Sequence, residues 1–285
     1  MRRILFIPVM VVALVLGALV APVGAITGGQ NDGDGHPFEA LLLAPGLTFC
    51  SGTLIAPSTI LTAGHCTDGW TELAADEDVD WDGTILVSFA PQAEVDEDWI
   101  PVDPSEWYEA SSWLTHPDYV SEDWPFTYDY GLLYLDEPVD ITPATLAAPN
   151  TLDPIINSNG QSMEIFNDVG YGIQGTNFGG GPPERAITWT RKVSTQTVAP
   201  GNGSVSGLFH ETWFILKSAP TWHIGGGCGG DSGSGIFMQE TGELVAVHTG
   251  GYRLGYNGQL CGRITALNHR TDLPAVYEWI TSNMR

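Results

Sequence analysis

Short apolar segments alternate with polar turn clusters along most of this chain. Residues 40–43, 53–55, 84–89 and 131–135 alternate with clusters of Gly, Pro, Asp and Asn, as strands joined by turns do. From 137 to 160 the sequence is rich in Pro and Asn without clear periodicity, and strand-like runs then resume at 187–193, 212–216 and 244–248. The pattern predicts two β-rich halves joined by that stretch, and no repeat of fixed period is present. Helical spacing emerges only at the end, where Val276, Ile280 and their aromatic neighbours predict a closing helix over residues 273–284, packed on the second half.

Length and composition agree with this all-β reading. A chain of 285 residues can bury a sizeable core, and 43% hydrophobic residues with 35 Gly and 19 Pro suit a turn-rich β protein.

The first residues form a separate unit. Arg2 and Arg3 precede an apolar run over 4–20, and the small residues Val23 and Ala25 stand where a signal peptidase reads. Residues 1–25 are therefore expected to be a signal peptide, leaving Ile26-Thr27-Gly28-Gly29 as the mature start of a secreted protein. An uncleaved membrane anchor is the rival reading, but the run is short for a spanning helix.

Export makes disulfides of Cys50, Cys66, Cys228 and Cys261. Three pairings exist if all are oxidised, and proximity favours Cys50 with Cys66 and Cys228 with Cys261. Neither CxxC spacing nor a His-rich cluster accompanies them, which argues against zinc.

A net charge of -24, with Lys192 and Lys217 the only lysines, sets strong repulsion against nucleic acid and anionic membranes. Neither is expected as a partner.

Three segments carry possible chemistry. Ser232 lies in Cys228-Gly229-Gly230-Asp231-Ser232-Gly233-Ser234-Gly235, a glycine-rich turn able to aim several amides at one point. His65, in Leu61-Thr62-Ala63-Gly64-His65-Cys66, offers the imidazole that a serine hydroxyl needs to lose its proton near neutral pH. Asp129 leads into the apolar Gly131-Leu132-Leu133, where a buried carboxylate could fix a histidine tautomer. Each motif alone is commonplace.

Together they resemble the chymotrypsin/trypsin family of serine proteases. Thr62-Ala63-Gly64-His65-Cys66 is similar to its TAAHC segment, Asp129-Tyr130-Gly131-Leu132-Leu133 to DIALL, and Gly230-Asp231-Ser232-Gly233 to GDSGGP, in the same order. Cys50-Ser51-Gly52-Thr53-Leu54-Ile55 and Val169-Gly170-Tyr171-Gly172 extend the resemblance over nearly all of the mature chain.

The resemblance implies two six-stranded antiparallel β-barrels with a C-terminal helix, at 26–140, 160–270 and 273–284 of one protease domain spanning 26–285. It implies a secreted, monomeric serine endopeptidase acting on proteins or peptides, without a cofactor. His65 would be general base, Asp129 its orienter and Ser232 the nucleophile, with the Gly230 and Ser232 amides as oxyanion hole. Ile26-Thr27-Gly28-Gly29 is similar to the family's IVGG start, whose freed amine would pair with Asp231.

Gly226 matches the position of trypsin's acidic specificity residue, so Arg/Lys preference is not expected. Thr249-Gly250-Gly251 should bind the substrate backbone, with Gly251 and Gly262 keeping the specificity pocket open. His248-Thr249-Gly250 resembles glutamyl endopeptidases, in which a histidine helps bind an acidic side chain, and the competing expectation is an apolar pocket with His248 as a buried spacer. Gly227 stands where those enzymes often place a hydroxyl, which removes one expected donor. Ser234-Gly235 replaces the family's Gly-Pro, and Tyr171 its usual tryptophan.

Asp78, Asp80 and Asp82 match the opening of a calcium loop, but Phe89 stands where a closing Glu is needed, so a solvated acidic loop is expected and no metal. The competing function from another class is a catalytically silent protease-like binding protein.

Overall fold

The computed structural model describes residues 26–76, 78–121, 125–158, 162–175, 185–199, 204–205, 208–217, 226–252 and 265–285. The expected signal peptide, Cys261 and Gly262 lie outside these described residues.

The first barrel is built from β1 (Glu39–Ala44), β2 (Thr48–Ala56), β3 (Thr59–Thr62), β4 (Ile85–Ser88), β5 (Tyr108–Ala110), β6 (Ser112–Thr115) and β7 (Gly131–Tyr134). Their order is β5-β4-β1-β2-β3-β7-β6, all antiparallel. β5 and β6 are one stretch of chain broken only at Ser111, whose amide donates to the Asp136 carboxylate at 3.1 Å instead of to a strand. That interrupted strand meets β4 at one end and β7 at the other, so six strands go round the barrel.

β1, β3 and β7 are buried at every position. A strand covered on both faces reads as an unbroken apolar run, which is why these segments show little alternation.

The second barrel comprises β8 (Ile165–Gly170), β9 (Lys192–Val198), β10 (Trp213–Lys217), β11 (Gly235–Met238), β12 (Leu244–Tyr252) and β13 (Thr265–Arg270). It runs β9-β10-β13-β12-β11-β8 and closes through β8 against β9. Gln30–Asn31 pairs with β9, so the N-terminal segment crosses to the second barrel before the first begins. Val169, Phe237 and Val247 of the second barrel join the core cluster of the first.

Besides a short helix at Asp153–Asn157, two helices depart from the sequence expectation. Helix α1 (Gly64–Ala75) was not foreseen, because its opening Gly-His-Cys-Thr-Asp-Gly has poor helix propensity. The Cys50–Cys66 disulfide and the burial of Trp70 tie it to the barrel instead. The closing helix, α2 (Pro274–Ser282), forms where expected but packs on the first barrel. Val276 and Ile280 enter that core, and Trp279 lies 4.6 Å from the His116 ring. Beyond it, the Arg285 amide donates to Thr59 Oγ1 at 2.9 Å, and the Arg285 guanidinium covers the Tyr134 ring at 3.7 Å. The apolar face of α2 thus finds its partner beside β3 and β7.

Candidate active site

His65 is the second residue of α1, and Asp129 ends the loop that leads into β7. Because β3 pairs with β7, with Thr62 opposite Gly131, the segments carrying the two side chains emerge from neighbouring strands. Asp129 holds His65 at two points: its Oδ1 accepts the His65 backbone N–H at 2.7 Å, and its Oδ2 accepts Nδ1–H at 2.9 Å. Asp129 is fully buried, whereas the His65 side chain remains 24% exposed. One edge of the imidazole is therefore committed to the carboxylate and the ring still reaches solvent.

Burial opposes ionisation of both groups, yet each stabilises the other's charge. Burial alone would lower His65, but the Asp129 charge and hydrogen bond outweigh it and its pKa lies above the ordinary value. Asp129 resists its own burial through the same partner and is brought down to about 2.

Ser232 stands just before β11 of the second barrel. His65, Ser232 and Gly230 line one pocket of about 370 Å³ with Phe49, Trp70 and the Cys50–Cys66 disulfide. The turn holding Ser232 is clamped across the barrel interface: the Ser51 amide donates to the Ser232 carbonyl at 2.8 Å, and Ser51 Oγ donates to the Gly230 carbonyl at 2.9 Å. Gly230 has φ +90°, and a Cβ there would strike the Phe49 ring at 2.0 Å, so only glycine fits. Among the described residues neither the Gly230 nor the Ser232 amide donates a hydrogen bond, while the Asp231 amide is bonded to the Cys228 carbonyl at 3.1 Å. Two free donors beside a serine suit a developing oxyanion.

The Trypsin family model matches residues 26–269. The chain belongs to the trypsin family. It is 27% identical to scolexin B of Heliothis virescens over 205 residues, 70% of this chain and 63% of that protein. It is 32% identical to a trypsin of Saccharopolyspora erythraea over 141 residues, 46% of this chain and 54% of that one. These matches span less than two thirds of either relative. The solved HL collagenase has a similar fold, with a TM-score of 0.61 at 16% identity, covering 91% of this chain and all of that one.

Several features of this trypsin-family site were not read from the sequence. Asp168 on β8 is a buried carboxylate that accepts from Ser234 Oγ at 3.0 Å and from Gln196 Nε2 at 2.8 Å, and lies 3.5 Å from His248 Nδ1. Ser234 at the departure from the family's Gly-Pro therefore donates to a buried carboxyl group. Burial raises the Asp168 pKa, with His248 and the two hydrogen bonds working against that rise. Tyr171, in the tryptophan position, uses its hydroxyl to reach the Ala90 carbonyl at 2.7 Å and accepts from buried Arg191. Neither partner is near it in sequence, so no local signal could reveal the pairing.

His248 is 1% exposed and its Nδ1 is 3.1 Å from Asn268 Oδ1. Asn268 Nδ2 donates to the Phe214 carbonyl, so Oδ1 is the acceptor and Nδ1 carries the proton. Nε2 then lies against Gly227, where an added Cβ would be 2.4 Å away. Gly227 brings no donor, and its missing side chain also makes room for the imidazole. Thr249 is buried and Gly251 exposed on β12, and the Gly226 amide donates to the Thr27 carbonyl at 3.1 Å.

Ile26 is fully buried at that same docking point, but in the full chain it is joined to Ala25 and its nitrogen carries no charge. Asp231 accepts the amides of Gly172 at 2.7 Å and Cys228 at 2.8 Å, and no ion pair reaches it among the described residues. Burial, then nearby Asp168, push its pKa well above the ordinary carboxylate value. Cys228 is disulfide-bonded, and Cys261, its expected partner, lies outside the described residues.

Asp78, Asp80 and Asp82 do not converge: among the described residues no three His, Cys, Asp or Glu side chains could hold a metal. Asp82 instead accepts the Thr84 amide at 2.8 Å. No described helix is long and apolar enough to cross a membrane.

Proposed function

We propose that the chain is a secreted serine endopeptidase that cleaves peptide bonds through an acyl-enzyme. The observation that carries this reading is the double hold of Asp129 on His65 in a pocket shared with Ser232.

With Nδ1–H held by Asp129, His65 presents Nε2 as a base. It takes the Ser232 proton as Oγ attacks the scissile carbonyl, then delivers that proton to the leaving amine. A water deprotonated by the same nitrogen then attacks the ester, and the C–O bond to Ser232 breaks as the imidazolium returns that proton to Oγ, releasing the acid product. The free amides of Gly230 and Ser232 would bind the oxyanion in both steps, each worth about 2.7 to 4 kcal/mol of barrier.

Gly226 at the specificity position supplies no anion for a basic side chain, which speaks against Arg/Lys preference. His248 favours an acidic one. A carboxylate needs a donor at Nε2, and on the other side of the ring the buried Asp168 lies 3.5 Å from Nδ1. Thr249 and Gly251 would pair with the substrate backbone, and Gly262 would border the pocket.

The proposed activation is release of Ile26 by signal cleavage after Ala25, giving Asp231 a cation. Cys50–Cys66 and the disulfide at Cys228 suit the oxidising surroundings of a secreted protein.

The deciding experiment is labelling of the processed protein by an organophosphonate serine probe. Labelling that disappears in Ser232→Ala is expected. A correctly processed protein that never labels would instead be a binding protein built on a protease scaffold.

A further inference from the structure

Behind Asp129 lies a second histidine that the proposed chemistry does not use. His269 on β13 is fully buried, and both ring nitrogens are engaged: Nε2 is 3.0 Å from the Phe126 carbonyl oxygen and Nδ1 is 2.6 Å from Thr249 Oγ1. A carbonyl only accepts, so Nε2 carries the proton. Burial keeps the ring neutral, bringing its pKa down to about 4 against the pull of Asp129. Nδ1 is then a lone pair, and the Thr249 hydroxyl donates to it.

The Phe126 carbonyl also accepts from Trp213 Nε1 at 2.7 Å, so two second-barrel donors converge on one first-barrel oxygen. Four residues on, the Tyr130 hydroxyl donates to the Arg270 carbonyl at 2.7 Å. Segment 126–130 is thus pinned to the second barrel at both ends, with Asp129 between the pins. The segment needs restraint, because Tyr128 is held at φ +51°, a conformation costly for a bulky side chain. The Phe126 ring in turn lies over His65, 5.6 Å between centroids and 31° from parallel.

We propose that His269 is a positioning residue for catalysis: its Nε2–H holds the Phe126 carbonyl, which keeps the Phe126 ring on His65. The catalytic consequence rests on the serine-protease reading, whereas the effect on His65 ionisation does not. Among the described residues the titratable neighbours are few. Asp129, His210 and His65 act electrostatically on His269, the Tyr130 ring packs edge-on against it, and Asp129 acts on His65.

Two substitutions divide the two nitrogens. His269→Gln can keep an N–H near Nε2, and His269→Asn can serve only the Nδ1 side. Without the Phe126 cover His65 becomes better hydrated, which favours its charged form. In His269→Asn the His65 pKa, followed by NMR titration, is expected to rise by roughly half a unit. The acid limb of kcat/KM should rise with it, and kcat/KM should fall roughly tenfold. His269→Gln should stay near wild type in both profiles.

Asn and Gln variants with the same His65 titration, differing from wild type only in melting temperature, would overturn the proposal. If the Asn variant does not fold, His269→Leu must raise the His65 pKa in its place, and an unchanged titration overturns the proposal equally. A wild-type protein that titrates as expected but never labels with a serine probe would fail the protease reading and leave this one standing.

Discussion

The imidazole of His248 occupies the space that any side chain at Gly227 would need: a Cβ there would lie 2.4 Å from Nε2 and 2.5 Å from Cε1. The ring cannot easily retreat, since Nδ1 is held by Asn268 and by Asp168 beyond it. Gly227→Ser would therefore not restore the hydroxyl donor of glutamyl endopeptidases but would collide with the group proposed to bind the substrate. We expect kcat/KM for peptides with Glu before the scissile bond to fall roughly tenfold or more. Faster cleavage after Glu in this variant, measured on matched Glu and Leu peptides, would show that His248 is not the specificity group.

Asp129→Asn keeps the size of the side chain but lets the amide face His65 Nδ1 with a donor, which reverses the tautomer. A kcat loss of about 10⁴-fold is expected, with binding little changed. Direction on the pH axis also follows. Asp129 raises the His65 pKa above its ordinary value, so the acid limb of wild-type kcat/KM should lie above about 6.5. Removing the carboxylate should move that limb to lower pH. Steady-state rates between pH 5 and 9 on one peptide test both statements.

The segments carrying His65, Asp129 and Ser232 were legible because their signals are local: a histidine before a cysteine, an aspartate at a strand start, a serine among glycines. What surrounds them was not. The Phe126 carbonyl meets His269 from 143 residues away, and Ser234 meets Asp168 from 66. Such pairings depend on how two barrels face each other, and no periodicity encodes that. Strand positions were readable where burial on both faces made continuous apolar runs, as in β1 and β7. Helix α1 was hidden because a disulfide and tertiary burial, not propensity, stabilise it. The packing side of α2 was misjudged because its amphipathic face identifies a helix but not its partner.

The Cys50–Cys66 bridge joins β2 to α1, immediately after the proposed base. With a sequence separation of 16, chain-entropy arguments give a stabilisation of about 3 kcal/mol. Cys50→Ala with Cys66→Ala should lose about that much in denaturant unfolding. Activity should fall as well, since the bridge fixes the first turn of the helix that carries His65. An unfolding midpoint equal to wild type would mean that packing of Trp70 alone holds α1.

The last prediction concerns Asp231 and the state of Ile26. While Ile26 remains joined to Ala25, Asp231 is a buried carboxylate with raised pKa, for which burial and then Asp168 are responsible. A group whose folded pKa lies above its unfolded value stabilises the fold below the unfolded pKa, near 3.9, and loses that contribution as pH rises through the folded one. The uncleaved chain should thus lose stability from Asp231 on going from mildly acidic to neutral pH. A freed Ile26 ammonium reverses the sign, because it favours the carboxylate and removes the loss at neutral pH. The melting temperature of protein beginning at Ile26, minus that of the uncleaved chain, should therefore grow between pH 5 and pH 7. Asp231→Asn should abolish this pH-dependent difference, and the cleaved form should label faster with a serine probe. Equal melting curves for the two forms across that range would mean that the new amine does not reach Asp231.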